Sequence, residues 1–128
     1  MSSFRVPHID DEPDIREIVA VSLGVDPKFA VRGCDSGADG LAIAAEWRPD
    51  LILLDIMMPV MDGPTTLGHL RENPQTSSIP VVFMTARMQT LELERFKSLG
   101  VSGVITKPFD PMALADSVRN HLSSANAE

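Results

Sequence analysis

Residues 51–63 read Leu-Ile-Leu-Leu-Asp-Ile-Met-Met-Pro-Val-Met-Asp-Gly. Four apolar residues in a row do not alternate with polar ones, so a strand built from them is buried on both faces. Pro59, Asp62 and Gly63 supply the turn signals that bound it. A strand buried on both faces needs a layer on either side, which places the chain among the α/β folds. Asp55 falls where that strand leaves the sheet. Open α/β sheets gather their chemistry outside the carboxyl ends of the strands, so Asp55 is the first residue to question.

The pattern recurs along the chain. Residues 4–9 are mostly apolar and end in Asp10-Asp11-Glu12, which makes them a first strand. Pro7 sits inside it, and a missing ladder donor predicts an irregular strand there. Pro13 suits the first turn of a helix in which Ile15, Ile18, Val19 and Leu23 follow helical spacing inward, with Gly24 as the stop. A second strand covers 29–34. Asp35-Ser36-Gly37 caps a second helix that turns Leu41, Ala44 and Ala45 inward and ends near Trp47. The third strand is 51–54. Gly63-Pro64 opens a third helix with Leu67 and Leu70 inward, closed by Asn73-Pro74. A fourth strand at 80–84 and a fourth helix at 88–99 follow, with Leu91 and Phe96 as core contacts. A fifth strand at 101–106, a fifth helix at 111–122 and a polar tail at 123–128 complete the reading. Strands alternating with helices in this way predict one parallel sheet covered on both faces, and right-handed crossovers leave few topologies.

At 128 residues the expectation is one domain with its own core, without a linker, a second domain or an output module. The net charge of -7 argues against a dedicated nucleic-acid binder, which needs a basic stripe. The single cysteine, Cys34, forms no internal disulfide and reads as a small core residue. The start lacks the apolar region of a signal peptide, and no apolar run approaches the ~20 residues that span a bilayer. The expected location is the cytoplasm, with no membrane partner.

Polar residues close the strands: Asp10 and Asp11 after the first, Asp55 after the third, Thr85 after the fourth and Lys107 after the fifth. In a parallel sheet these ends share one rim, so three carboxylates, a hydroxyl and an ammonium converge. Clustered carboxylates repel one another unless a cation intervenes. Mg²⁺ suits such a site because it takes a few carboxylates, waters and a phosphate oxygen. Asp11 and Asp55 are the direct ligands in this reading, with Asp10 acting through water. A carboxylate also attacks phosphorus, giving an aspartyl phosphate, whose charged oxygens the metal and Lys107 would neutralise. Each residue alone suits an ordinary role: Asp10, Asp11 and Glu12 at a helix N-terminus, Asp55 in a turn, Thr85 as an N-cap, Lys107 in solvent.

Four motifs, Ile9-Asp10-Asp11-Glu12-Pro13, Leu53-Leu54-Asp55 through Met61-Asp62-Gly63, Met84-Thr85-Ala86 and Lys107-Pro108-Phe109, resemble those of the receiver domains of two-component response regulators in order and separation. The resemblance covers about residues 4–122 and is closest in kind to stand-alone chemotaxis receivers. It implies a doubly wound (βα)₅ flavodoxin-like three-layer sandwich with strand order 2-1-3-4-5. It implies that Asp55 accepts a phosphoryl group from a histidine kinase, and that Asp10, Asp11, Asp55 and the backbone carbonyl of Met57 hold Mg²⁺ or Mn²⁺. Thr85 and Lys107 would engage the phosphoryl group, with Ala86 beside Thr85 and a cis bond before Pro108. The module would catalyse only its own phosphoryl transfer and dephosphorylation. Its partners would be a sensor kinase or a histidine phosphotransfer protein, and a target protein on the face of the fourth helix, fifth strand and fifth helix. Passing the phosphoryl group on in a phosphorelay, and a phosphorylation-linked dimer, are further options.

One position departs from the family. Receivers commonly carry Tyr or Phe three residues before the lysine as a rotameric switch, and this chain has Val104, too stiff and small to swing a ring. Arg87, two residues after Thr85, is a candidate to overhang the site. His8, His69 and His121 share no ligand spacing and read as structural or solvated, and the methionines read as packing. Two other classes fit less well. A flavodoxin-like cofactor carrier needs a backbone phosphate cradle after the first strand, where this chain has Asp10 and Asp11. Haloacid-dehalogenase-type phosphatases carry a second Asp two residues after the nucleophile, where this chain has Met57.

Overall fold

The apolar runs become β1 (Phe4–Ile9), β2 (Phe29–Cys34), β3 (Ile52–Asp55), β4 (Val81–Thr85) and β5 (Gly103–Thr106). Between and after them lie α1 (Pro13–Gly24), α2 (Gly37–Trp47), α3 (Gly63–Glu72), α4 (Thr90–Lys97) and α5 (Leu114–Asn126). The computed structural model describes residues 3–86 and 90–126, leaving aside the side chains of 90, 91, 93 and 124–126. The strands are parallel, in the order β2-β1-β3-β4-β5, the doubly wound sandwich expected.

The two sheet faces carry separate cores. Val19 and Leu23 of α1 and Leu114, Val118 and Leu122 of α5 pack with Val6, Leu53, Val82 and Ile105 on one face. Ala44 of α2 and Leu67 and Leu70 of α3 pack with Ile9, Leu54 and Phe83 on the other, joined by Phe96 of α4, whose ring meets Phe83 edge-on at 5.7 Å. Helix starts follow from local chemistry. Ser36 and Asp62 accept from the backbone N–H groups of Asp39 and Thr65, and Pro13 opens α1. Gly100, at φ +85°, takes the left-handed position after α4.

Several boundaries differ from the sequence reading. Pro7 does not break β1, whose register with β2 runs unbroken through Pro7–Arg32. The Phe4 N–H points to β2 and the Arg5 carbonyl to Asp50, so alternation turns the missing Pro7 donor toward β3. There, pairing is confined to His8 and Ile9. Asp55 belongs to β3 itself, paired with Met84. β5 starts at Gly103 rather than 101, and α5 starts at Leu114 rather than 111 and continues to Asn126 through most of the expected tail. Ile18 faces solvent, 41% exposed, while Val19, Ser22 and Leu23 form the buried stripe of α1. The expected start of the fourth helix at 88, the Leu91 contact and Arg87 lie outside the described residues and side chains. Among the described residues, no helix is long and apolar enough to cross a membrane.

Trp47 closes α2 at the N-terminal edge of the sheet. Its carbonyl accepts from Arg5 Nη1 at 2.7 Å and its ring lies 4.8 Å beneath the Arg32 guanidinium. Asp55 stands at the opposite edge. Tryptophan emission is therefore expected to stay constant in a Mg²⁺ titration, and a large quench would contradict this placement.

Candidate functional site

Strand parity brings the site together. Asp10 follows β1, Asp55 ends β3 and Lys107 follows β5, all at the C-terminal edge. Asp10 and Asp55 are buried, at 0% and 4% exposure. Lys107 Nζ donates to Asp10 Oδ2 at 2.9 Å and to Asp55 Oδ1 at 3.1 Å, with its side chain only 13% exposed. That excludes a solvated Lys107. Its backbone N–H donates to the Thr85 carbonyl at 2.8 Å, so the loop after β5 is anchored on β4. Thr85 is buried at the end of β4, and Ala86, exposed, follows it. The Lys107–Pro108 bond is cis. Glu12, Ile15, Met57, Ala86 and Pro108 line a groove whose wall also includes Asp55 and Lys107.

The charges explain one another. Burial pushes the Asp10 carboxyl up, but the His8 imidazole, the Lys107 ammonium and the Glu12 backbone N–H outweigh it and hold Asp10 down at about 2. Asp55 lacks that surplus of donors. Burial first and the Asp10 charge second raise its pKa, against the pull of Lys107. Burial disfavours the Lys107 ammonium, yet its bonds to the two carboxylates raise its pKa above the ordinary value.

Carboxylate oxygens of Asp10, Asp11 and Asp55 lie within 4.8 Å of one another, the one cluster of this kind among the described residues. An all-oxygen donor set of this charge fits a hard divalent cation. Asp10 is already engaged on both oxygens, Oδ1 by the Glu12 N–H at 2.9 Å and Oδ2 by Lys107. Asp11 and Asp55 are thus the better placed for direct ligation.

The loop after β3 is tightly built. Gly63 N–H donates to the Ile56 carbonyl at 2.9 Å, and a Cβ on Gly63 would lie 2.6 Å from the Asp55 carbonyl oxygen and 2.8 Å from Ile56 Cα. Only glycine lets α3 start against the backbone of Asp55. Met61 N–H donates to the Pro59 carbonyl at 2.7 Å, a three-residue turn centred on Val60 at φ +69°. Val60 is β-branched and wholly exposed there, a strained choice of residue.

Residues 6–119 match the family model described as the response regulator receiver domain. The chain belongs to that family. The receiver is 37% identical over 118 residues to the DNA-binding dual master transcriptional regulator RpaA of Synechocystis, covering 90% of this chain and 47% of that protein. It is also 37% identical over 119 residues to the response regulator Rre1 of the same organism, covering 93% and 52%. The chain thus spans about half the length of these curated relatives. Among solved structures it is similar to the Vibrio cholerae chemotaxis protein CheY4, with TM-score 0.85 and 28% identity over 93% of this chain and 98% of that one. It is similar too to the receiver domain of a Syntrophus aciditrophicus signal transduction histidine kinase, with TM-score 0.83 and 26% identity over 98% and 95%.

Two receiver residues escaped the sequence reading. Arg16 of α1 donates from Nη1 to the Asp10 backbone carbonyl at 2.6 Å and fastens the loop that carries Asp11. His8 is fully buried, with Nε2 3.5 Å from Asp10 Oδ2. Its signal was present, because residues two apart on a strand share a face. Val104 is half-buried against the Phe83 and Phe96 cluster.

Replacing Val60 with Gly is expected to stabilise the receiver by roughly 1 kcal/mol, as relief of backbone strain exceeds the entropy glycine adds to the unfolded chain. The urea midpoint at constant m-value measures it. The pKa shifts predict a second effect. Asp55 is raised in the folded state, so its ionisation opposes folding at neutral pH, and this cost is relieved as the pH falls through the folded value. Asp10 works in the other sense: its stabilisation is complete above the ordinary 3.8 and lost as the pH falls through about 2. Without divalent cation, Asp55→Asn should therefore unfold at higher urea than wild type at pH 7. The gap should narrow as the pH drops through the raised Asp55 value.

Proposed function

We propose that Asp55 is the phosphoryl acceptor of this receiver and that a histidine-bearing kinase or phosphotransfer protein is the donor. The observation that carries this reading is Lys107 Nζ, held between Asp10 and Asp55 at 2.9 and 3.1 Å in a groove open at Asp55. An ammonium so placed pairs with the resting carboxylates and lies within reach of an oxygen on a group attached to Asp55.

An Asp55 carboxylate oxygen attacks the phosphorus of the donor phosphohistidine. The new O–P bond forms as the P–N bond breaks, and the departing imidazole keeps the electron pair and takes a proton from solvent. Asp11, Asp55 and the Met57 backbone carbonyl would hold Mg²⁺ or Mn²⁺, which when bound neutralises the carboxylates and the phosphoryl oxygens. Asp10 would orient the water around it. Lys107 then turns from Asp10 and Asp55 to a phosphoryl oxygen, and the Thr85 hydroxyl supplies another hydrogen bond to it.

The read-out runs from Thr85 into the segment before α4 and onto the α4–β5–α5 face, where a target protein binds. Val104 supplies no ring to swing, so the signal depends on the Thr85 side alone. The raised pKa of Asp55 fits an acceptor whose carboxylate gains from cation binding before it reacts.

The test is acetyl phosphate with Mg²⁺, read by intact mass. One phosphoryl group should add to wild type, be lost in base, and be absent from Asp55→Asn and from reactions with chelator. A wild-type protein that gains nothing from acetyl phosphate or a cognate kinase would rule the reading out.

A further inference from the structure

Among the described residues, His8 is the one buried polar side chain at the floor of the site for which the phosphoryl chemistry gives no task. It lies in β1 at 0% exposure, between Gly33 of β2 and Leu53 of β3 in the sheet register. Neither ring nitrogen has a hydrogen-bond partner. Nε2 faces Asp10 Oδ2 at 3.5 Å, too long for a full bond. A nitrogen facing a carboxylate is the one that carries the proton, so Nε2 is a donor held just short of its acceptor. A buried histidine with both nitrogens unmatched costs stability, and an apolar residue would fill this space at lower cost.

The distances indicate what it waits for. Asp10 Oδ2 is occupied by Lys107 Nζ at 2.9 Å. When Lys107 turns to a phosphoryl oxygen, that oxygen loses its strong donor while remaining fully buried. The Glu12 N–H serves only Oδ1, and Arg16 serves only the backbone carbonyl. His8 is the neighbour already aimed at Oδ2.

We propose that His8 is a positioning residue that takes over Asp10 Oδ2 when Lys107 leaves it, so that the Asp10 carboxylate keeps its orientation in the phosphorylated state. This rests on the functional reading above. It assigns to His8 a lengthened contact with Asp10 at rest that becomes a full hydrogen bond once Asp55 is modified.

Beryllium fluoride with Mg²⁺, a phosphoryl mimic, separates the two. His8→Met removes the donor at similar volume, and His8→Gln returns an N–H at a similar reach. Without ligand, His8→Met should unfold at the same urea concentration as wild type or higher. With Mg²⁺ it should need about ten-fold more beryllium fluoride for half-saturation by ¹⁹F NMR, the loss of one hydrogen bond to a charge. His8→Gln should stay within about two-fold of wild type, the donor being kept. In wild type, the His8 Nε2–H proton resonance should move downfield on saturation as the contact shortens. This last reading needs no variant. Wild-type affinity in His8→Met, equal weakening in both variants, or an unmoved imidazole proton would each overturn the inference while leaving Asp55 as acceptor. Failure of wild type to bind beryllium fluoride with Mg²⁺ would overturn both.

Discussion

One ammonium between two buried carboxylates sets the terms for this structure. Lys107 is 97 residues from Asp10 and 52 from Asp55, yet it bonds to both. Burying a carboxylate without a partner is costly, and removing one member of such a group leaves a charge stranded. The group is nevertheless left incomplete. Asp10 is over-supplied with donors while Asp55 is under-supplied, and the pKa values move apart accordingly. The same imbalance that costs the resting fold is what gives a cation or a phosphoryl group something to relieve.

The surrounding backbone holds that imbalance in place. β3 carries Asp55 to the last paired position, and Gly63 brings the start of α3 back against the Asp55 carbonyl. The intervening loop closes through the turn at Val60, where a left-handed backbone meets a β-branched side chain. On the other side, Arg16 ties the Asp10 carbonyl to α1, and Lys107 N–H ties the loop after β5 to Thr85. Each carboxylate is thus fixed by backbone contacts that do not depend on its own charge, so the charges can be rearranged without losing the frame.

The last strand carries both Val104 and, just past its end, Lys107. Lys107 reaches Asp55 at 3.1 Å, while Val104 packs with Phe83 and Phe96. Beneath Asp55, His8 adds a polar residue to a floor otherwise built of Val6, Leu53 and Met84.

The sequence by itself determined the class of fold and the identity of the rim. A run such as 51–54 is apolar at every position only if both faces are covered, and polar residues at the ends of successive strands meet whenever those strands are parallel. Asp10, Asp11, Asp55, Thr85 and Lys107 were legible for that reason, and strand boundaries were legible to within a residue or two. Tertiary structure decided what depends on a neighbour's position. Ile18 follows the helical period but faces solvent, because the buried stripe of α1 is set by where α5 and the sheet lie. Pro7 survives in a central strand because its missing donor falls on the side where pairing with β3 has barely begun. His8 shares its strand face with Asp10, two residues on, but only folding set the 3.5 Å between Nε2 and the Asp10 carboxylate. Periodicity reports which face a residue is on; what stands opposite that face is fixed by packing, and that is where the opposite pKa shifts of Asp10 and Asp55 originate.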